Sequence, residues 1–417
     1  MEQFDTDDKL VENSKDKKVE SKSHYVLIGV WCLIILFAIF FLFNYIKHQN
    51  TSGKAASTDK RYPVLIADIG GTNVRLSLLS MSKDENVPYK EINSEKLSPT
   101  ESPSLQDLIK NYLSKVDSEN YPLYAVIGIA GPVNNNEVLS LTNIPHWPKF
   151  NGEELAKQFN FKQCVILNDF ACNGYGIQTN LKVNEDYIAL NEVKPQEGGA
   201  KLMIGPGTGL GMGYLLKDKD NEFYTIGASE GGHQDYTAKN EDNFALREYF
   251  KKTLGNTDLS IERVLSGQGL ILIYKYLQSK GTNVKRDKEL EDKINKFSGS
   301  TASPLANSIN HELVKKGLSG ECELSKNVLE YFISIFGDVA GDVSLFSCPT
   351  GGLYLVGGLS VALEPLITST KIFMDHYLSK DNFAFLLKTF PVYLIKNGDI
   401  GMIGAAECAR RMLLLED

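Results

Sequence analysis

The sequence predicts an α/β protein built from two related halves and preceded by a single membrane-spanning helix. Three features carry that expectation. Short apolar strands alternate with amphipathic helices from Val64 onward, a strand–Gly-Thr–strand unit occurs twice, and residues 25–46 are apolar and uncharged. Interleaved strands and helices are the mark of an α/β architecture.

Residues 1–24 form a polar, acidic tail. The run that follows, YVLIGVWCLIILFAIFFLFNYI, spans ~33 Å as a helix, enough to cross the hydrocarbon layer of a bilayer. It is apolar on every face, which core helices seldom are. A cleaved signal peptide fits poorly, because the stretch is too long and its leader is long and acidic. Trp31 lies within it, Tyr25 and Tyr45 sit near its ends, and Lys47 and His48 follow. Lys15, Lys17, Lys18 and Lys22 on one side balance Lys47, Lys54, Lys60 and Arg61 on the other, so charge alone leaves the orientation tied. The body beyond Lys54 lacks an N-x-[ST] sequon, which favours a cytosolic body. Residues 47–62 read as a flexible linker.

The chain of 417 residues is 42% hydrophobic and 23% charged, ample for a buried core in two or three domains. Its net charge of -8 and lack of a basic tract exclude nucleic acid as a partner. The six cysteines are scattered, with no C-x-x-C pair and no Cys/His spacing for zinc, and read as reduced thiols.

In the body, VLIAD, RLSLLS, YAVIGIA, CVILN, AKLMIG, LYLVG and PVYLIK are strands, each rich in Val, Ile, Leu or Tyr and ended by Gly, Asn or Pro. The clearest helix is SLQDLIKNYLSKV: Leu105, Leu108, Ile109, Tyr112, Leu113 and Val116 build one apolar face, and Ser104 with Asp107 resembles a capping box. Gly71-Thr72 and Gly207-Thr208 each sit at a turn between two apolar strands, an echo that signals a duplicated unit.

Such turns suit phosphate. Glycine lets backbone N–H groups approach an anion without a Cβ in the way, and successive N–H groups make an anion-binding hollow. Thr72, Asn73 and Thr208 add donors. Asp68 would repel a phosphate unless a cation stood between them, and Mg²⁺ fits that need. Ordinary glycine hairpins would account for the backbone but not for the acid before one turn and the threonine in both. Neither stretch is a Walker A loop. A third pair, Gly357-Gly358, follows another strand and suits either an adenine surface or a plain strand-end turn.

A second cluster is polar but not basic. Asn168 and Asp169 follow the strand CVILN, at the strand end where ligands gather in open α/β sheets. ASEGGHQDY supplies Glu230 and His233, and SIERVLSGQG supplies Glu262. Carboxylates accept hydrogen bonds from hydroxyls, so the set suits a neutral polyol. Singly, each has a structural alternative: Asp169 as a helix cap, Glu262 as a first-turn acid, His233 as a core histidine.

DIGGTNVR, GIAGPV, TNIPHW, LNDF, GPGTGLG, EGGH, ERVLSG, VGGL and GMIGAA occur in this order. They resemble the bacterial-type glucokinases of the sugar-kinase, Hsp70 and actin superfamily, from Val64 to the C-terminus. The resemblance implies two ribonuclease-H-like domains around a cleft: a small one over 63–178, completed by 400–417, and a large one over 179–399. It implies ATP-dependent phosphorylation of the 6-hydroxyl of D-glucose, the first step of glycolysis. Asp169 would be the general base, with Asn168, Glu230, His233 and Glu262 on the sugar hydroxyls. Asp68, Gly70, Gly71, Thr72 and Asn73 would form the first phosphate segment and, through water, the Mg²⁺ site. Gly207, Thr208 and Gly209 would form the second segment, and Gly357 with Gly358 the adenosine segment. Pro206 stands where enterobacterial members carry a small residue and stiffens that turn. Related ROK kinases carry a cysteine-rich zinc motif after their Glu-Gly-His segment; EGGHQDYTAKNEDNFALREYF has no cysteine, so no zinc is expected.

The expectation is therefore a glucokinase tethered to a membrane, single-pass, with its body in the cytosol where ATP is. An anchored sugar sensor on the same fold is the alternative, as is a kinase for another hexose. Asp169 argues against a sensor, which needs no base. The sequence leaves the phosphoryl donor and a homodimer open.

Overall fold

The computed structural model describes residues 60–415 apart from 72, 142–143, 220–221, 282 and 298–303. The proposed anchor at 25–46 lies outside the described residues. Among those described, no helix is long and apolar enough to cross a membrane.

Two sheets form the frame of the unit Arg61–Asp417. The first contains β1 (Tyr62–Ile69), β2 (Val74–Met81), β3 (Lys90–Leu97), β4 (Tyr124–Ile129) and, after a two-stranded hairpin of β5 (Val133–Asn134) and β6 (Glu137–Val138), β7 (Gln163–Asn168). The second contains β8 (Tyr187–Ala189), β9 (Lys201–Pro206), β10 (Leu210–Leu216), β11 (Thr225–Ser229), β12 (Gly352–Leu355) and β13 (Val392–Ile395). The strand orders are β3-β2-β1-β4-β7 and β11-β10-β9-β12-β13-β8. In each, a central strand (β1 or β9) has an antiparallel hairpin partner on one side and two parallel strands on the other. The repeated Gly-Thr unit thus marks a repeated topology. The glycine turns are the tips of the β1–β2 and β9–β10 hairpins.

The seven expected strands are present. The helix after Ser104, α1 (Leu105–Leu113), buries Leu105, Leu108, Ile109, Tyr112 and Leu113, and the Asp107 N–H donates to the Ser104 hydroxyl at 3.1 Å. β3 was not foreseen, because KEINSEKL has no apolar run: it is an edge strand, and most of its residues are exposed or half-buried.

Alternation along β1 divides its side chains between two layers. Leu65, Ala67 and Ile69 face one core, with α1 and α2 (Gly152–Phe159). Val64 and Ile66 face another, formed with α8 (Ile400–Leu414), and Asp68 shares their side of the strand. The outer face of the second sheet packs on α4 (Glu241–Leu254), α5 (Gly267–Ser279), α6 (Pro304–Ser319) and α7 (Glu323–Ser347). Its inner face meets Ile177 and Ile400.

Between the sheets lies the short helix α3 (Asp169–Gly176), and glycines permit its close approach on every side. A Cβ on Gly128 of β4 would come within 2.8 Å of Cys172 Sγ, and one on Gly211 of β10 within 1.8 Å of the Phe170 ring. A Cβ on Gly404 of α8 would sit 1.7 Å from the Cys172 carbonyl oxygen. The start of α3 is therefore fixed against both sheets at once. The five described cysteines are free thiols.

Candidate active site

Asp169 is the first residue of α3, and Asn168 caps the helix. The Phe170 N–H donates to Asn168 Oδ1 at 2.9 Å and to Asp169 Oδ1 at 3.0 Å, while Asn168 Nδ2 donates to the Gly131 carbonyl at 2.9 Å. Asn168 is thus the helix cap, the role the sequence offered for Asp169, and its amide keeps a second N–H and a second lone pair for a ligand. The Asp169 carboxylate is left facing a cavity of about 160 Å³, lined by Ala67, Asp68, Gly128, Asp169, Cys172, Asn173, Gly398 and Gly401.

Burial pushes the Asp169 carboxyl up from 3.8 to about 6. The Phe170 N–H opposes that rise, and the negative charges of Asp68 and Glu230 add to it. Asp68 is likewise raised, mainly by burial; Arg75 opposes this and Asp399 adds to it. Its side chain is exposed where it lines the cavity and surrounded by protein on its remaining sides, so exposure and weak solvation coexist. Two carboxylates crowded into one hollow call for a cation. Asp68 with substrate oxygens and water is the donor set Mg²⁺ accepts, since that ion keeps several waters and takes one or two carboxylates. The residues fit the ion. Among the described residues, no group of three or more His, Cys, Asp or Glu side chains is placed to hold a metal by itself.

The sugar-side candidates converge. Glu230 follows β11 and precedes a tight turn, Gly231–His233, that lies on β10: a Cβ on Gly232 would meet the Leu210 oxygen at 2.1 Å. Glu262, in the short helix Ile261–Val264, accepts a hydrogen bond from the Leu210 N–H at 3.0 Å. A Cβ on Gly209 would come within 2.4 Å of Glu262 Oε2, so that glycine clears space for the carboxylate. His233 lies between the two acids, its Nε2 3.8 Å from Glu230 Oε2 and its Nδ1 4.0 Å from Glu262 Oε1.

The glycine turns separate by sheet. In the first, the Gly70 N–H donates to the Asn73 carbonyl at 2.9 Å, and Gly71 is half-buried beside it; Thr72 lies outside the described residues. In the second, the Gly207 N–H donates to the Gly209 carbonyl at 2.7 Å, and the Gly267 N–H holds the Gly207 carbonyl at 2.9 Å, which leaves Thr208 exposed. Gly357 adjoins this turn: at φ 88° its Cβ would lie 2.8 Å from the Pro206 oxygen, and Gly358 beyond it starts a short helix with open space around its Cα. The second and third glycine segments therefore form one continuous surface.

Sequence reasoning passed over four side chains here. Arg75 is the cross-strand partner of Asp68 and pairs with Asp399 at 2.5 Å. Phe170 anchors α3 on β10, and Asn173 lines the cavity. The hairpin register could have revealed Arg75, since a strand pair closed by a four-residue turn places Asp68 opposite it.

A family profile described as Glucokinase matches residues 65–412. A protein named glucokinase from Trichormus variabilis is 33% identical over 355 residues, covering 84% of this chain and 99% of its own. The crystal structure of a glucokinase from an Antarctic psychrotroph has a TM-score of 0.66 at 26% identity, covering 84% of this chain and 99% of that one. A Balamuthia mandrillaris glucokinase, solved in complex with glucose, shares the fold with a TM-score of 0.62 at 20% identity, over 86% and 96% of the two chains. The α/β sugar-kinase fold expected from the motifs is present, and the chain belongs to the glucokinase family.

Proposed function

We propose that the chain transfers the γ-phosphoryl group of ATP to the 6-hydroxyl of D-glucose. The observation that carries this reading is the placement of Asp169, a carboxylate of raised basicity, in a cavity that also holds Asp68 and feels the charge of Glu230. Glu230, His233 and Glu262 receive the sugar hydroxyls. The Gly207–Gly209 turn and the Gly357-Gly358 surface receive the nucleotide, with Gly70–Asn73 on the opposite sheet. Asp68 would hold Mg²⁺ through water, and the ion would neutralise phosphate charge.

Phosphoryl transfer depends chiefly on positioning and charge neutralisation. Asp169 accepts the proton of the attacking hydroxyl, and its raised basicity suits that role near neutral pH. Asn168 fixes the helix start and hence the direction of the neighbouring carboxylate. The two sheets correspond to the two domains, divided near residue 179, and their closure on sugar would exclude water as a competing acceptor.

The membrane anchor at 25–46 and a cytosolic body are parts of the same proposal, supported by the apolar run and by the use of ATP. Purified chain with Mg·ATP and a panel of hexoses tests the activity. Glucose should stimulate ADP release most strongly, and absence of stimulation by any hexose would overturn the proposal. Protease protection in sealed vesicles tests the topology: only the tail should survive when the cytosolic face is outward.

A further inference from the structure

Asn310 lies on α6, is 8% exposed, and its carboxamide oxygen Oδ1 has no hydrogen-bond partner. Buried polar atoms are paired in the great majority of cases, and an acceptor shut away from both water and a donor destabilises the fold. An unpaired oxygen beside a ligand site is explained if the ligand brings the donor.

The carboxamide is beside the second glycine turn. A Cβ on Gly267, the first residue of α5, would come within 2.6 Å of Asn310 Nδ2 and lie 3.7 Å from the Gly207 carbonyl oxygen. Gly267 thus clears space for the carboxamide, as Gly209 does for Glu262, while its own N–H holds the Gly207 carbonyl. The two clearances fall at opposite ends of the turn. Glu262 adjoins Gly209, on the sugar side. Asn310 adjoins Gly207, next to Pro206, against whose oxygen Gly357 packs. Asn310 therefore borders the surface proposed for the nucleotide. The Gly207 carbonyl also fixes which way the carboxamide points: it would repel Oδ1, so Nδ2 keeps that side and Oδ1 takes the other.

The chemistry of an unpaired acceptor narrows the ligand atom. Phosphate oxygens are acceptors too and would be repelled. The donors of ATP are its ribose hydroxyls and the 6-amino group of adenine. Gly358 has open space around its Cα, which suits the face of a planar base, and the amino group is the donor at that base's edge. We propose that Asn310 is a specificity-determining residue for the phosphoryl donor: Oδ1 accepts a hydrogen bond from the adenine 6-amino group and so selects ATP over GTP and ITP. Guanine and hypoxanthine carry an oxygen at position 6, which would set lone pair against lone pair and leave Oδ1 unpaired in the complex. This inference rests on the reading of the chain as an ATP-dependent hexose kinase. It supplies what the glycine segments lack, since backbone N–H groups that bind phosphate accept any nucleoside triphosphate.

The test measures glucose-stimulated release of nucleoside diphosphate by the full chain with ATP, GTP, ITP and purine riboside triphosphate, whose base has hydrogen at position 6. For the parent, KM for ATP should be lower than for each of the others by about tenfold or more, the worth of one hydrogen bond to a buried acceptor. N310A, and N310L which keeps most of the side-chain volume, should raise KM for ATP about tenfold and KM for the purine analogue less than about twofold, so that the preference disappears. KM for glucose should move less than about twofold, a split that general loosening of the fold would not give. Equal KM values for ATP and the purine analogue in the parent, or a preference that survives in either variant, would overturn the proposal. A rise in KM common to all four donors would overturn it as well, since it would place the contact on the ribose they share. If no donor gives glucose-stimulated release in the parent, the kinase reading itself fails, an outcome distinct from a kinase indifferent to position 6.

Discussion

Replacing Asp169 by Asn should remove turnover and raise stability together, and the structure sets the size of both effects. The carboxyl is raised from 3.8 to about 6, first by burial and then by Asp68 and Glu230. At 1.36 kcal/mol per pH unit, ionising it in the folded chain costs about 3 kcal/mol more than in the unfolded chain. The sign follows from which state holds the proton more tightly. Below 3.8 the group is protonated in both states and contributes no difference. As pH rises the unfolded chain releases its proton first, so stability falls until pH passes about 6, where the full penalty applies. Asn carries no charge and still offers Oδ1 to the Phe170 N–H. D169N should therefore match the parent in thermal unfolding at pH 4 and exceed it by about 4 °C at pH 7.5, given ~2 cal/mol/K per residue of unfolding entropy. Its kcat should drop by 10²–10⁴-fold, the usual worth of a positioned base. Scanning calorimetry at the two pH values and a coupled ADP assay measure both. Equal melting temperatures at pH 7.5 with undiminished turnover would refute the reasoning.

Four further outcomes follow from the geometry. The parent enzyme's kcat/KM should rise with pH through about 6 as Asp169 ionises, which a pH–rate profile will show. G209A would place a Cβ 2.4 Å from Glu262 Oε2 and turn that carboxylate away from the Leu210 N–H, so the KM for glucose should rise about tenfold and the melting temperature fall by ~1–4 °C, the worth of one unsatisfied buried donor. G404A would bring a Cβ within 1.7 Å of the Cys172 oxygen and force α8 from α3, costing about 3 kcal/mol or more by denaturant titration. Removal of residues 1–60 should abolish sedimentation with membranes and leave kcat for glucose unchanged.

Much of this frame was readable in one dimension. The strands were visible because Val, Ile and Leu runs meet Gly, Asn or Pro at their ends, and the duplicated unit because both hairpins need a glycine at the turn. β3 was not, since an edge strand needs no apolar side chains to hold its place. Sequence also supplied Asp68, Asp169, Glu230, His233 and Glu262, because acids and an imidazole beside glycines stand out. It did not show how they meet. The clearance of α3 depends on Gly128, Gly211 and Gly404 facing it, a property of three distant segments at once. Asp399 comes from the far end of the chain, where no local pattern marks it as the partner of Arg75. Asn168 was read as a sugar ligand from its place at a strand end; that it also caps α3 through the Phe170 N–H, while its Nδ2 donates to the Gly131 carbonyl, is visible only in three dimensions.

The most direct measurement is a crystal structure of the chain with glucose and a non-hydrolysable ATP analogue. The account predicts a carboxylate oxygen of Asp169 at about 2.6–3.2 Å from the glucose 6-hydroxyl, the reach of a proton acceptor. A 6-hydroxyl directed at another side chain, with Asp169 beyond contact, would contradict it.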